Sequence, residues 1–270
     1  EPFVSASIYA QYCVMGLAKE HQTTVLLDGQ GADEILAGYH HYYLPFFREI
    51  RGTSGFASQL ASYNTLHQSN PINGLTTKTM GDRIRSVSPA LIKPVKQLRN
   101  AYRQLSSPVF NPDFYRQYKG DVFETPGNSY STLNEALYQS TMKYGLQQLL
   151  RYADRNSMAH SREVRLPFLY HELVAFLFTL PASYKINEGW TKWIMRESFA
   201  LLPDAIRWRK DKIGYEPPQK KWMEDERISD QLRLVMNSLS HKNILAVKKG
   251  KFRSVNNEMD WRILLSGTLD

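Results

Sequence analysis

The stretch Val25-Leu26-Leu27-Asp28-Gly29-Gln30-Gly31-Ala32-Asp33-Glu34-Ile35-Leu36-Ala37-Gly38-Tyr39 passes from an apolar run through a glycine turn into a helical pattern. Thr23 to Leu27 is β-branched and aliphatic with no interior charge, the composition of a strand buried in a parallel sheet, and Asp28-Gly29 ends it. From Asp33 onward, Ile35, Leu36 and Tyr39 recur at helical spacing. Upstream, Ser5 is placed to cap a helix reaching about Lys19, along which Ile8, Tyr12, Met15 and Leu17 recur. Helix, strand, tight turn and helix make an α/β crossover unit. One such unit cannot bury a strand on both faces, so further parallel strands have to come from elsewhere.

Open parallel sheets bind ligands at the carboxyl ends of their strands, which is where Asp28 to Glu34 falls. Gly29 and Gly31 let the backbone approach a ligand, and the N–H groups opening the next helix face an anion. Asp33 and Glu34 set carboxylates beside such a phosphate site, and carboxylates next to phosphate imply Mg²⁺. The same residues also make a plain turn with acidic side chains in a first helical turn, which needs no ligand. The motif taken alone leaves both readings open.

The chain has 270 residues, 42% hydrophobic and 12% aromatic, enough for one large domain or two small ones with a real core. Its longest apolar run, Leu173 to Leu180 broken only by Thr179, is well short of the roughly 20 residues that span a membrane, so a soluble protein without a membrane partner is expected. Cys13 has no intrachain partner, which favours a cytoplasmic location, and its mid-helix position predicts an inert core thiol. The chain opens at Glu1 with no basic and apolar leader, so a preceding segment is expected. The net charge of +8 is concentrated between Arg83 and Arg103 and again between Lys248 and Arg253. Only Tyr102 and Phe252 could stack on bases there, so these stretches read as solvated faces and argue against a nucleic-acid partner.

Periodicity predicts further helices over Leu60 to Leu66, Leu91 to Leu105, Asn134 to Leu150, His171 to Leu180, Thr191 to Leu202 and Pro218 to Met236. The chain is therefore expected to be mainly α with a few parallel strands. The stretch from about Gly52 to Tyr130 is rich in Ser, Asn, Gly and Pro, the composition of a variable insertion or long loops.

Three ordered blocks resemble the asparagine synthetase family. The first is the stretch quoted above, similar to the family's strand followed by Gly-Glu-Gly-(Ser/Ala)-Asp-Glu and Gly-Gly-Tyr. The second runs from Arg151 to Ala159 and then Glu163-Val164-Arg165-Leu166-Pro167-Phe168-Leu169. The third holds Gly189, Thr191-Lys192, Arg196-Glu197, Leu202-Pro203, Ile206, Arg209 and Lys212 followed by Gly214-Tyr215. The resemblance implies the C-terminal portion of a Rossmann-like adenine nucleotide α-hydrolase (ATP pyrophosphatase) α/β domain. Residues 1–50 would end the nucleotide-binding sheet, 51–130 form a variable helical insertion, 131–225 a helical substrate and ATP region, and 226–270 a helical tail.

The resemblance further implies an ATP- and Mg²⁺-dependent ligase. The side-chain carboxylate of aspartate would attack the α-phosphorus, and ammonia from glutamine would then displace AMP. Asp33 matches a family Mg²⁺ ligand, with Glu34 beside it or else pairing with an arginine, and Gly29 and Gly31 would border the nucleotide. Lys212 matches the lysine at the reacting centre, although it also suits a surface basic run with Arg209 and Lys210. Asp154, Arg155, Glu163 and Arg165 would recognise the two ends of a zwitterion, or pair with one another in buried ion pairs. Met158, Pro167 and Phe168 read as packing residues.

Two departures stand out. Gln30 replaces the family glutamate and cannot act as a base, so it is expected to orient substrate; Tyr170 follows Pro-Phe-Leu where aspartate is usual. The family's pyrophosphate loop and N-terminal glutaminase domain have no counterpart in the sequence. The resemblance is compatible with a homodimer of the full-length protein, and it leaves open an amidotransferase acting on another carboxylate or a non-catalytic, tRNA-directed relative.

Overall fold

In a computed structural model of the chain, residues 3–68, 72, 110–118, 130–210, 217–246 and 257–267 are described. The expected helix Leu91 to Leu105, both basic clusters and Lys212 lie outside them. The first elements are α1 (Ser7–Glu20), β1 (Val25–Leu27), α2 (Ala32–Ile35), α3 (Tyr43–Glu49) and α4 (Phe56–Leu66). Next come α5 (Pro112–Tyr118), α6 (Leu133–Met142), α7 (Leu146–Ala159), β2 (Glu163–Arg165) and α8 (His171–Thr179). The hairpin β3 (Ile186–Asn187) and β4 (Trp190–Thr191) precedes α9 (Trp193–Ser198), α10 (Asp204–Arg207), α11 (Gln219–Met223), α12 (Glu226–His241) and α13 (Asn257–Ser266). The chain divides into two compact units, one of residues 14–79 and 125–213, the other of 1–13, 80–124 and 214–270.

The first unit carries the glycine turn. β1 pairs in parallel with β2, matching Val25 to Glu163, Leu26 to Val164 and Leu27 to Arg165, and Asp28 N–H extends the ladder to Arg165 O at 2.9 Å. The core is aromatic: Tyr43, Phe46 and Phe47 of α3, Tyr63 of α4, and Leu133 and Leu137 of α6 are all essentially buried. A second cluster joins Ile35 and Leu36 to Val174 and Leu177 of α8 and to Ile194 and Met195 of α9. Lys185 lies inside this unit with no solvent exposure, donating to Asn134 Oδ1 at 2.7 Å and to Leu180 O at 2.9 Å. In the second unit, Leu232 and Met236 of α12 pack with Leu245 and with Ile263 of α13, and Phe110 bridges Leu245.

Several expectations change. The helix expected through Tyr39 stops at Ile35, because Ala37 takes a left-handed conformation at φ 59°. Gly145, at φ 88°, splits Asn134 to Leu150 into α6 and α7. Thr191 to Leu202 opens with β4 rather than helix, and Asp225 caps α12 by accepting from Arg227 N–H, which divides Pro218 to Met236. A parallel partner for β1 comes from within the chain, from the charged motif residues Glu163-Val164-Arg165. β1 is not buried on both faces: Leu27 is 76% exposed, and among the described residues the strand pairs only with β2. Cys13 is exposed rather than a core thiol, and Met158 is 56% exposed rather than packed, because it falls on the outer face of α7. Among the described residues no helix is long and apolar enough to cross a membrane.

Candidate functional site

The glycine turn is fixed from both sides. Gln30 N–H donates to Asp28 Oδ1 at 3.2 Å, and Gly31 sits at φ 94°. A Cβ on Gly31 would fall 2.3 Å from Leu169 Cδ2, so the turn is seated against the Pro167–Leu169 3-10 helix in a way that only glycine allows.

Asp33 and Glu34 open α2 side by side, yet they serve different environments. Glu34 is buried at 3% exposure; its Oε1 accepts the Tyr39 hydroxyl at 2.8 Å, and Oε2 has no hydrogen-bond partner among the described residues. Burial, reinforced by the Glu34 charge, pushes the Tyr39 pKa far up, so this hydroxyl stays a donor. Asp33 instead meets Lys192 Nζ at 2.7 Å. Lys192 reaches it from the end of β4 in a left-handed conformation at φ 54°, with its own N–H donating to Leu36 O at 3.1 Å.

This pair lines a cleft of about 390 Å³, formed also by Gly38, Thr191, Arg196, Arg207, Arg209 and Lys210, with Met195, Leu202 and Ile206 supplying apolar surface. One carboxylate thus stands among five cationic side chains. Two of these are tied up structurally. Arg196 donates to Thr191 O at 2.8 Å and to the carbonyls of Arg207 and Arg209, and stacks 4.8 Å from the Trp190 ring. Burial lowers its pKa, but a guanidinium remains charged. Arg207 donates back to Arg196 O and lies 3.8 Å from Glu197. Lys192, Arg209 and Lys210 add to this positive field, and such a cleft attracts a polyanion.

A divalent cation here would have Asp33 as its one protein carboxylate, in competition with the Lys192 ammonium 2.7 Å away. Mg²⁺ is commonly held by one or two carboxylates together with phosphate oxygens and waters, and Asp33 supplies one such carboxylate while Glu34, enclosed with Tyr39, does not line the cleft. Among the described residues no group of three or more His, Cys, Asp or Glu could hold a metal unaided.

The remaining sequence candidates are not gathered here. Gly29, Gln30 and Gly31 belong to the turn after β1 and do not line the cleft. Asp154 and Arg155 are exposed on α7. Glu163 and Arg165 pair with one another at 2.6 Å on β2, with side chains 53% and 63% exposed, so they form a surface ion pair rather than a buried one. Lys212 lies outside the described residues, two positions along the chain from Lys210. Sequence reasoning passed over Lys192 as a site residue; its signal was the glycine turn at Gly189 just before Thr191-Lys192.

The structure thus sets a carboxylate against a lysine in a cationic cleft, within a mainly helical fold that holds one parallel strand pair. A family model described as asparagine synthase matches residues 1–260, and the chain belongs to that family. It is 27% identical over 233 residues to asparagine synthetase (glutamine-hydrolyzing) 1 of Bacillus subtilis strain 168, covering 84% of this chain and 35% of that protein. It is 28% identical over 193 residues to asparagine synthetase (glutamine-hydrolyzing) 3 of the same organism, covering 69% and 25%. To asparagine synthetase (glutamine-hydrolyzing) of Gallus gallus it is 34% identical over 93 residues, covering 30% and 17%. The chain thus spans about a third or less of the length of these curated relatives. No solved structure matches it.

Proposed function

We propose that the chain is the synthetase portion of a glutamine-dependent asparagine synthetase, and that the Asp33–Lys192 cleft holds the polyphosphate of ATP. The observation that carries this reading is Asp33 set 2.7 Å from Lys192 in a cleft with an excess of cations. Lys192, Arg209 and Lys210 draw the phosphates in, and Asp33 is the residue that would hold a Mg²⁺ bound with them. The metal's chemistry is to neutralise charge on the phosphate oxygens.

The aspartate carboxylate attacks the α-phosphorus, the bond to pyrophosphate breaks, and ammonia then displaces AMP from the acyl-adenylate to give asparagine. Lys212 is assigned to the developing negative charge. Gln30, a neutral amide, orients substrate rather than taking a proton. The ammonia source and the remaining strands of a Rossmann-like sheet are assigned to the part of the relatives that this chain does not span, and a cytoplasmic setting goes with the activity.

Pyrophosphate release by the full-length protein, measured with aspartate against a panel of other carboxylates, tests the proposal. Release that depends on aspartate and ammonia is expected. Release with a different carboxylate and not with aspartate would transfer the reading to another amide product.

A further inference from the structure

Lys192 is delivered to the cleft by a hairpin too small to hold its own direction. β3 and β4 have two residues each, matched Ile186 to Thr191 and Asn187 to Trp190, and an isolated hairpin even of ordinary length is at best marginally stable. Its turn, Glu188-Gly189, places both residues at positive φ, 49° and 78°, the geometry of a tight two-residue hairpin turn. Glu188 takes this left-handed conformation without the freedom of glycine. Something outside the hairpin therefore has to fix it.

That support is α4. A Cβ on Gly189 would lie 3.0 Å from both Ser62 O and Tyr63 Cα, so the helix backbone runs directly against the turn. From one turn earlier in the helix, the Gln59 amide spans the loop: Oε1 accepts Glu188 N–H at 2.9 Å and Nε2 donates to Asn187 Oδ1 at 2.5 Å. The Tyr43 hydroxyl donates to Gly189 O at 2.6 Å, and His67 Nε2 lies 3.0 Å from the same oxygen. Gln59 is the member that grips the turn through both an acceptor and a donor.

We propose that Gln59 is a positioning residue for Lys192, acting through the Glu188-Gly189 turn to aim the lysine at the cleft. The inference rests on reading that cleft as a polyphosphate site. A small error in the direction of the hairpin is carried through Thr191 to the Lys192 ammonium, and an ångström of misplacement there weakens a contact that depends on geometry. Helix α4, expected from composition to lie in a variable insertion, then becomes part of the support of the site.

The test is titration calorimetry of inorganic pyrophosphate into the full-length protein, with thermal unfolding recorded for every variant. Gln59→Leu, which removes both bonds to the turn, is expected to weaken affinity about tenfold. Gln59→Glu keeps an acceptor for Glu188 N–H and should recover most of that loss. Leu60→Ala loosens the packing of α4 on the core without touching the turn, so it should lower the unfolding temperature at least as much while leaving affinity within about twofold. Unchanged affinity in Gln59→Leu, or an equal loss in Leu60→Ala, would overturn the inference. Lys192→Gln separates the two readings: if it weakens binding and Gln59→Leu does not, the positioning role alone falls. If Lys192→Gln binds like the unaltered protein, or the unaltered protein binds no pyrophosphate, the reading of the cleft falls and the role of Gln59 with it.

Discussion

Gly38 and Asp33 share a space that admits no methyl group. A Cβ on Gly38 would come 1.8 Å from Asp33 Oδ1 and 2.5 Å from Lys192 Cε, while Gly38 N–H holds Asp33 O at 2.8 Å. Gly38→Ala should therefore push the carboxylate and the lysine apart. Overpacking of this kind destabilises by about 1–3 kcal/mol. A parallel loss of pyrophosphate affinity is expected, read by thermal unfolding and calorimetry on one preparation.

Lys192→Gln removes the ammonium that faces Asp33. Both side chains are about three-quarters covered, at 27% and 23% exposure, so the fold should lose only about 1 kcal/mol, at the upper end for partly exposed pairs. Affinity for a polyanion should fall at least tenfold, since a point charge at the cleft is lost. Added salt should weaken binding by the unaltered protein more steeply than by the variant.

Burial lowers the pKa of Lys185 to about 8, partly opposed by the Glu49 charge. In the unfolded chain this lysine regains the ordinary value of 10.5. Between those two values the unfolded chain binds more protons than the folded one, so the contribution of Lys185 to stability rises with pH across this window and is flat below it. The difference in unfolding free energy between the unaltered chain and Lys185→Met should therefore move in favour of lysine from pH 8 to 10, by on the order of 2 kcal/mol. A difference independent of pH would show that Lys185 does not titrate in this window.

Arg196→Lys keeps the charge and loses the fork. Three carbonyls, from Thr191, Arg207 and Arg209, accept from the guanidinium, and a lysine cannot reach all of them in that geometry while stacking on Trp190. A loss of about 1 kcal/mol is expected from denaturant unfolding, because the part-buried carbonyls of Thr191 and Arg207 lose their donors.

The glycine turn, its strand and the place of Asp33 were legible because β-branched runs, paired glycines and a following acidic pair each have one dominant local meaning. Helix α8 followed its apolar period almost to the residue. Local pattern failed where a backbone conformation was set from outside. Ala37 at φ 59° carries no mark in its residue type, and it ends α2 so that Gly38 can lie beside Asp33. Glu163-Val164-Arg165, with two charges in three positions, carries no strand pattern of its own, yet it forms a strand because the edge of β1 is there to pair with. Lys192, marked only by the nearby glycine turn at Gly189, and Gln59, with no mark at all, were passed over for a related reason. Each is placed by a partner more than 120 positions away, Lys192 by Asp33 and Gln59 by the turn at Glu188.

Three of the five tryptophans cluster behind Arg196, one of the residues that line the cleft. Trp208 lies 5.4 Å from Trp190 and 5.9 Å from Trp193 by ring centroid, with the Arg196 guanidinium against the Trp190 ring. Indole emission responds to nearby charge, so the protein carries a built-in optical reporter where the cationic side chains converge. An anion that draws on Arg196 is expected to change the intrinsic fluorescence, with no label attached.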